Sequence, residues 1–134
     1  MADTFHLTIT CPDRNFYEGD VTMVELNTTE GQIGVLKNHI PLTAVLSPGV
    51  CHIHLEDGTE KLCAVHSGFL EILQDSMTIL AEVCEWPEEI DIQRAEEAKI
   101  RAERRLADDP TEANMTSAIL ALKRSAARIE AARR

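Results

Sequence analysis

The stretch Trp86-Pro87-Glu88-Glu89-Ile90-Asp91-Ile92-Gln93-Arg94-Ala95 divides the chain into two parts of different periodicity. Upstream of it, from Thr4 to about Cys84, the dominant spacing is two, as in Phe5/Leu7/Ile9, Thr22/Val24/Leu26, Cys51/Ile53/Leu55 and Met77/Ile79/Ala81/Val83. Such alternation turns one face of an extended chain toward a core and the other toward water. Turn chemistry separates the runs, at Pro12-Asp13-Arg14-Asn15, Glu18-Gly19-Asp20, Glu30-Gly31, Ser47-Pro48-Gly49, Asp57-Gly58, Ser67-Gly68 and Gln74-Asp75-Ser76. Asp57-Gly58 is the clearest hairpin signal, because both residues tolerate the positive φ of a tight turn. No helical segment long enough for a crossover lies among these runs, so parallel pairing is not expected.

Downstream the pattern is helical. Glu88 to Ala107 has no glycine, and Ala, Glu and Arg dominate it, which predicts a helix with Asp91 as its N-cap. Acids crowd its early turns and Arg101, Arg104 and Arg105 its last, matching the helix dipole. Asp108-Asp109-Pro110 stops it, and a second helix starts at Pro110 with Met115, Ala118, Ile119, Leu122, Ala126 and Ile129 as its apolar stripe. The facing stripe on the first helix is Ala95, Ala98, Ala102 and Leu106. The fold class that follows is α+β: an N-terminal antiparallel β-sandwich over 1–86, then a C-terminal antiparallel two-helix hairpin over 87–134. Alanine stripes allow close approach but bury little area, so the hairpin is expected to be well formed and weakly anchored. Two readings stand for it, a movable arm and a hairpin packed permanently on the sandwich.

In a chain of 134 residues with net charge −10, the excess acid lies entirely in the first part. Residues 1–86 hold 13 acidic and 3 basic residues, and 87–134 hold 10 of each. An acidic first part without a basic, aromatic-lined stripe argues against nucleic acid as a partner. No apolar run approaches the length of a membrane span, and Met1-Ala2-Asp3-Thr4 lacks the features of a secretory signal, so a cytosolic protein without direct membrane insertion is expected. Cys11, Cys51, Cys63 and Cys84 are widely spaced and sit mostly inside strand-like runs, which reads as reduced, buried thiols.

Catalytic chemistry is hard to assemble. His52 and His54 form a His-x-His on one strand face, which as half of a metal site would need His6, His66 or Glu56 to complete it; solvent-facing strand histidines are the simpler reading, and no metal is expected. His39, in Lys37-Asn38-His39-Ile40-Pro41, has no neighbouring nucleophile. The isolated glycines make no phosphate cradle.

A family resemblance rests on Thr10-Cys11-Pro12-Asp13-Arg14 with Tyr17-Glu18-Gly19, Glu30-Gly31-Gln32-Ile33-Gly34-Val35-Leu36, His39-Ile40-Pro41-Leu42, Ser67-Gly68-Phe69-Leu70-Glu71-Ile72, Thr78-Ile79-Leu80-Ala81 and Ile90-Asp91-Ile92-Gln93-Arg94-Ala95. Across essentially its whole length the chain resembles the epsilon subunits of bacterial F-type ATP synthase. That resemblance implies a non-catalytic rotor subunit of the central stalk, peripheral on the cytoplasmic face of the cell membrane as part of F1. Its implied partners are the gamma subunit, the c-ring and the alpha/beta subunits, with the sandwich bound to gamma and the ring. By the same resemblance Glu30, Gly31, Gln32, Ile33 and His39 lie in the region facing the ring, although Gln32 stands where relatives often carry Glu. The hairpin of relatives lies folded on the sandwich or extends toward the catalytic subunits and restrains ATP hydrolysis; Lys123, Arg124 and Arg128 resemble bases that meet the beta subunit.

The Ile90-Asp91-x-x-Arg94-Ala95 motif also matches one that binds ATP in some epsilon subunits. There Glu85, Ile90, Asp91 and Ala95 would surround the base and Arg94 and Arg101 would approach the phosphates, with ATP as a regulatory ligand and not a cofactor. Arg94 and Arg101, seven residues apart, share a helix face. The same residues have a plain structural reading, with Asp91 as a cap and either arginine paired with Glu97. A free-standing nucleotide sensor and a metal-dependent enzyme are the alternatives to the rotor subunit.

Overall fold

In the computed structural model, which describes residues 3–133, eight strands precede a helical hairpin. Met1, Ala2 and Arg134, the outer ends of the two expected parts, lie outside the described residues. The strands are β1 (Phe5–Cys11), β2 (Arg14–Val21), β3 (Met23–Thr28), β4 (Gly31–Leu36), β5 (Leu42–Leu46), β6 (Gly49–His54), β7 (Glu60–Ile72) and β8 (Ser76–Glu85). They form a ladder in the order β2-β1-β8-β7-β5-β3-β4, and β6 pairs with both β3 and β7. That double pairing folds the ladder over on itself as a sandwich.

The core holds the alternating residues. Leu7, Ile9, Ile53, Leu70 and Ile79 are completely buried, each stabilising the fold by roughly 2 kcal/mol relative to exposure. Two expectations need adjustment. The pairing is antiparallel except between β1 and β8, which run parallel with Leu7 opposite Met77 and Ile9 opposite Ile79. No crossover helix is required there, since the other six strands of the body make the connection. In addition, Val83 is exposed and Cys84 is buried, because the face of β8 that points inward switches after Ala81.

β7 switches its inward face as well. Cys63 and Val65 point into the core before the switch and Leu70 and Ile72 after it, and the pivot is Ser67-Gly68, where φ is 37° and 146°. The first half of β7 pairs with β6 and the second with β5. A Cβ on Gly68 would stand 2.0 Å from the Leu80 carbonyl oxygen, so this position needs glycine on both counts.

Pro87–Glu89 is a single 3-10 turn, followed by helices α1 (Ile92–Asp108) and α2 (Glu112–Arg133). α1 starts directly after the expected cap Asp91, whereas α2 starts two residues later than the expected Pro110. Asp91 caps α1, its carboxylate accepting the Arg94 N–H at 3.1 Å. Asp109 accepts the Thr111 N–H, and the first helical hydrogen bond of α2 runs from Met115 to the Thr111 carbonyl. Asn114 donates to the carbonyls of Arg105 and Asp109 and so closes the end of α1.

Ala95 and Ala102 are buried and Ala98 and Leu106 half-buried, on the stripe expected for α1. The stripe expected for α2 is partly wrong. Ala118 is buried as expected, but Met115, Ile119 and Ala126 are exposed, and Ser125, Ala127 and Ala131 are buried in their place. α2 touches two surfaces, α1 on one side and the sandwich on the other, and at both contacts small residues allow the backbones to approach. Ser125 is tolerated there because its hydroxyl donates to the Ala121 carbonyl.

Candidate functional site

α2 lies on the outer face of β6 and β7. Beneath it Val50, Ala64 and Ala131 form a small cluster joined by Leu62 and Ile90. This explains four successive buried residues in β7, Cys63 to His66: the odd ones face the sandwich core and the even ones face the arm. The apolar contact consists mainly of alanine and valine, so its contribution is small beside that of the main core.

Polar contacts supplement it. His66, 2% exposed, donates from Nε2 to Glu85 Oε1 at 3.4 Å, and Arg128 Nε donates to the same oxygen at 2.6 Å. These donors, His66 first and Arg128 after it, hold the Glu85 carboxyl down at about 2 against the cost of its partial burial. The other ring nitrogen of His66 has no partner among the described residues. Arg124 donates to the Ser67 hydroxyl at 3.4 Å. Two of the three expected arm bases thus face the sandwich, and only Lys123 is fully exposed.

A cavity of about 410 Å³ opens beside this contact, lined by Glu85, Glu89, Asp91, Arg94, Ala95, Ala98, Arg101 and Arg128. It gathers five of the six residues singled out around the Ile90-Asp91 motif; Ile90 instead packs into the cluster under the arm. Its size lies in the range of small-ligand sites. The three carboxylates on its wall are committed: Glu85 to His66 and Arg128, Glu89 to Arg14 and the Trp86 N–H, and Asp91 to the cap of α1. The guanidinium groups of Arg94 and Arg101 have no hydrogen bond or ion pair among the described residues. Neither pairs with Glu97, which accepts from Gln93. Two uncommitted cations beside neutralised carboxylates form a local surplus suited to an anionic group such as a polyphosphate.

Glu30, Gly31 and Gln32 are exposed in the β3–β4 turn and Ile33 is half-buried. Thr28 closes the turn through its hydroxyl, which accepts the Glu30 N–H and donates to the Gly31 carbonyl. His39 donates from Nδ1 to the Ile40 carbonyl, and Ile40 is 74% exposed. Nearby, Val45, Phe69 and Leu80 stand opposite one another across β5, β7 and β8. All three are exposed on the outer face, a ridge that alternation alone did not reveal.

Of the histidines raised as metal ligands, His52 and His54 meet at one carboxylate, Glu60, while His6 and His66 are engaged elsewhere. His52 contacts Glu60, His54 contacts Glu25 and Glu60, and His6 lies between Glu18 and Asp20. Among the described residues no group of three or more His, Cys, Asp or Glu is arranged to hold a metal ion. Glu56 is exposed in the β6–β7 loop. All four cysteines are free and buried, and burial with the neighbouring thiols pushes Cys63 and Cys84 up, leaving them poor nucleophiles. Among the described residues no helix is long and apolar enough to cross a membrane.

Comparison with known proteins gives a consistent picture. Residues 4–87 match the model of the ATP synthase delta/epsilon chain β-sandwich domain, and residues 88–133 that of the long α-helix domain of the same chains. The chain is 46% identical over 133 residues to an ATP synthase epsilon chain of Caldanaerobacter subterraneus subsp. tengcongensis, covering 98% of this chain and 96% of that one. It is 44% identical to an ATP synthase epsilon chain of Halalkalibacterium halodurans, covering 98% of each. Among solved structures, a chain of the Euglena gracilis mitochondrial ATP synthase OSCP/F1/c-ring assembly matches with a TM-score of 0.83 and 26% identity, covering 98% of this chain and 82% of that one. A chain of the Tetrahymena thermophila central stalk and c-ring shares the fold, with a TM-score of 0.72 and 14% identity over 98% of each.

Proposed function

The chain belongs to the ATP synthase delta/epsilon family, as an epsilon chain, and from that premise we propose that its sandwich is fixed to the rotor while its hairpin is a regulatory arm held down by nucleotide. It is a non-catalytic subunit of the F1 central stalk. The observation that carries the proposal is the shared position of Glu85 and Arg128, which join arm to sandwich and line the cavity beside that joint.

The Val45-Phe69-Leu80 ridge is the surface offered to the gamma subunit, where burial of three exposed apolar side chains supplies the association energy. The turn from Glu30 to Ile33, with His39, faces the c-ring loops and adds position more than affinity. On this reading the subunit lies peripherally on the cytoplasmic side of the membrane, as part of F1.

The nucleotide reading assigns the polyphosphate to Arg94 and Arg101, joined by Arg128 across the cavity. The base lies against Ala95, with the carboxylates of Glu85 and Asp91 as acceptors for amino hydrogens. Because α1 contributes Arg94 and Arg101, α2 contributes Arg128 and the sandwich contributes Glu85, a nucleotide held by all three stabilises the hairpin in its docked position by mass action. Without it the arm extends toward the catalytic subunits, where Lys123, Arg124 and Arg128 meet acidic partners and hydrolysis slows.

Calorimetry with ATP, beside copurification with gamma, tests the proposal. Saturable ATP binding that Arg94→Ala abolishes, and gamma binding that Phe69→Asp abolishes without unfolding the chain, are expected. ATP binding that is indifferent to Arg94, or gamma binding that is indifferent to the ridge, contradicts it.

A further inference from the structure

Arg14 does not line the cavity, yet it is tied to the root of the arm by two hydrogen bonds and, through Phe16, by a ring stack. Its Nη2 donates to Glu89 Oε1 at 2.8 Å and to the Cys84 carbonyl at 3.3 Å. The same Glu89 oxygen accepts the Trp86 N–H at 2.8 Å, so one carboxylate joins the start of β2 to both ends of the 3-10 turn. The Arg14 guanidinium also lies 4.9 Å from the centre of the Phe16 ring, and Phe16 stacks on Trp86 with centroids 4.3 Å apart and planes 18° apart. Arg14 and Phe16 reach the turn together at the point where the β1–β2 register shifts opposite Ile9 and Thr10 and leaves Phe16 outside the pairing.

We propose that Arg14 is the positioning residue of the nucleotide pocket, holding the Trp86–Glu89 turn on the sandwich and neutralising the Glu89 carboxylate on the pocket wall, so that the arm pivots only beyond it, at Ile90-Asp91. This rests on the nucleotide reading given above. Two consequences follow from the geometry. Ile90 closes the 3-10 turn, its N–H donating to the Pro87 carbonyl at 3.2 Å, and the extended backbone of Ile90 and Asp91 separates that turn from α1, so the first joint past the clamped segment lies there. Glu89, among the three wall carboxylates, is the one whose neutralisation depends on a strand remote from both helices. Freed from Arg14, that carboxylate would face the polyphosphate bound by Arg94 and Arg101 as an uncompensated like charge.

The test is ATP calorimetry on the full chain carrying Arg14→Met, Glu89→Gln or both, together with amide exchange at Trp86. Arg14→Met is expected to weaken ATP binding about tenfold, as one unscreened charge near a polyphosphate would, and to speed Trp86 exchange. Adding Glu89→Gln to it removes the charge and is expected to restore ATP affinity to about threefold of the unmodified chain, while Trp86 exchange stays fast. A purely structural role for Arg14 would not be rescued in this way. Arg14→Lys, which keeps the charge without the forked geometry, guards against a folding defect in Arg14→Met and is expected to fall between the two. Unaltered ATP affinity in Arg14→Met, or a double variant no better than the single one, overturns the proposal. If the unmodified chain binds no ATP, the nucleotide reading fails, and unaltered Trp86 exchange in Arg14→Met would then overturn the clamp as well.

Discussion

Glu85 accepts from His66 on the sandwich and from Arg128 on the arm, and its pKa lies at about 2 against an ordinary value of 4.5. Because His66 and Glu85 both belong to the sandwich, only the share of this depression due to Arg128 depends on docking; that share stabilises the docked arm in full above pH 4.5 and is lost progressively as pH falls toward 2. Docking of the arm is therefore expected to be insensitive to this group from neutral pH down to about 5, and to weaken below that. Amide exchange of α2 recorded against pH checks it, and Glu85→Gln should flatten the acid limb. Arg128→Ala leaves Glu85 with His66 alone and is expected to weaken docking by about 1 to 2 kcal/mol, read as faster α2 exchange at neutral pH. Local chemistry of this kind is partly legible in sequence. Asp91 is recognisable as a cap because its partner Arg94 lies three residues away. The Arg14–Glu89 pair spans 75 residues and could not be read from either end.

At the scale of elements, the strands show where alternation informs and where it misleads. Phe5/Leu7/Ile9 keeps one face inward throughout β1, so its reading transfers directly to the structure. β7 and β8 exchange faces partway along, and no count of alternating residues could locate those switches, although Ser67-Gly68 marks one of them. Gly68→Ala combines a disfavoured φ with a clash against the Leu80 carbonyl, so a loss of at least about 2 kcal/mol of sandwich stability is expected in urea unfolding. The helices repeat the lesson. α1 has one buried face and its alanine stripe is correctly legible, whereas α2 divides its buried residues between α1 and the sandwich, so a single-stripe reading selects Met115 and Ile119 wrongly. Ala102→Leu, at the buried helix contact, is expected to destabilise the hairpin by about 1 to 3 kcal/mol through overpacking. Loss of helical circular dichroism at lower urea, with the sandwich transition unmoved, is the outcome that checks it.

For the whole molecule, the contrast between its two sets of contacts supports the regulatory reading. The main core of the sandwich is built from residues Phe5 to Cys84, and Trp86 packs against it from the root of the arm. The arm itself rests on a few small side chains and two polar ties. A body so packed is expected to fold and join the stalk without the hairpin, whereas the hairpin has little to hold it in place on its own. The proposed contact with gamma runs through the outer ridge of Val45, Phe69 and Leu80, on a first part of the chain that carries the whole acidic surplus. Function at this scale became legible only through resemblance to a family, since the partners that give each surface its role lie outside the chain. The most direct measurement is ATP hydrolysis by the assembled complex, reconstituted either with the full chain or with one ending at Pro87, across a range of ATP concentrations. The account predicts equal assembly, with the full chain slowing hydrolysis at low ATP and the restraint fading as ATP rises, whereas identical rates at every concentration, or failure of the shortened chain to assemble, would contradict it.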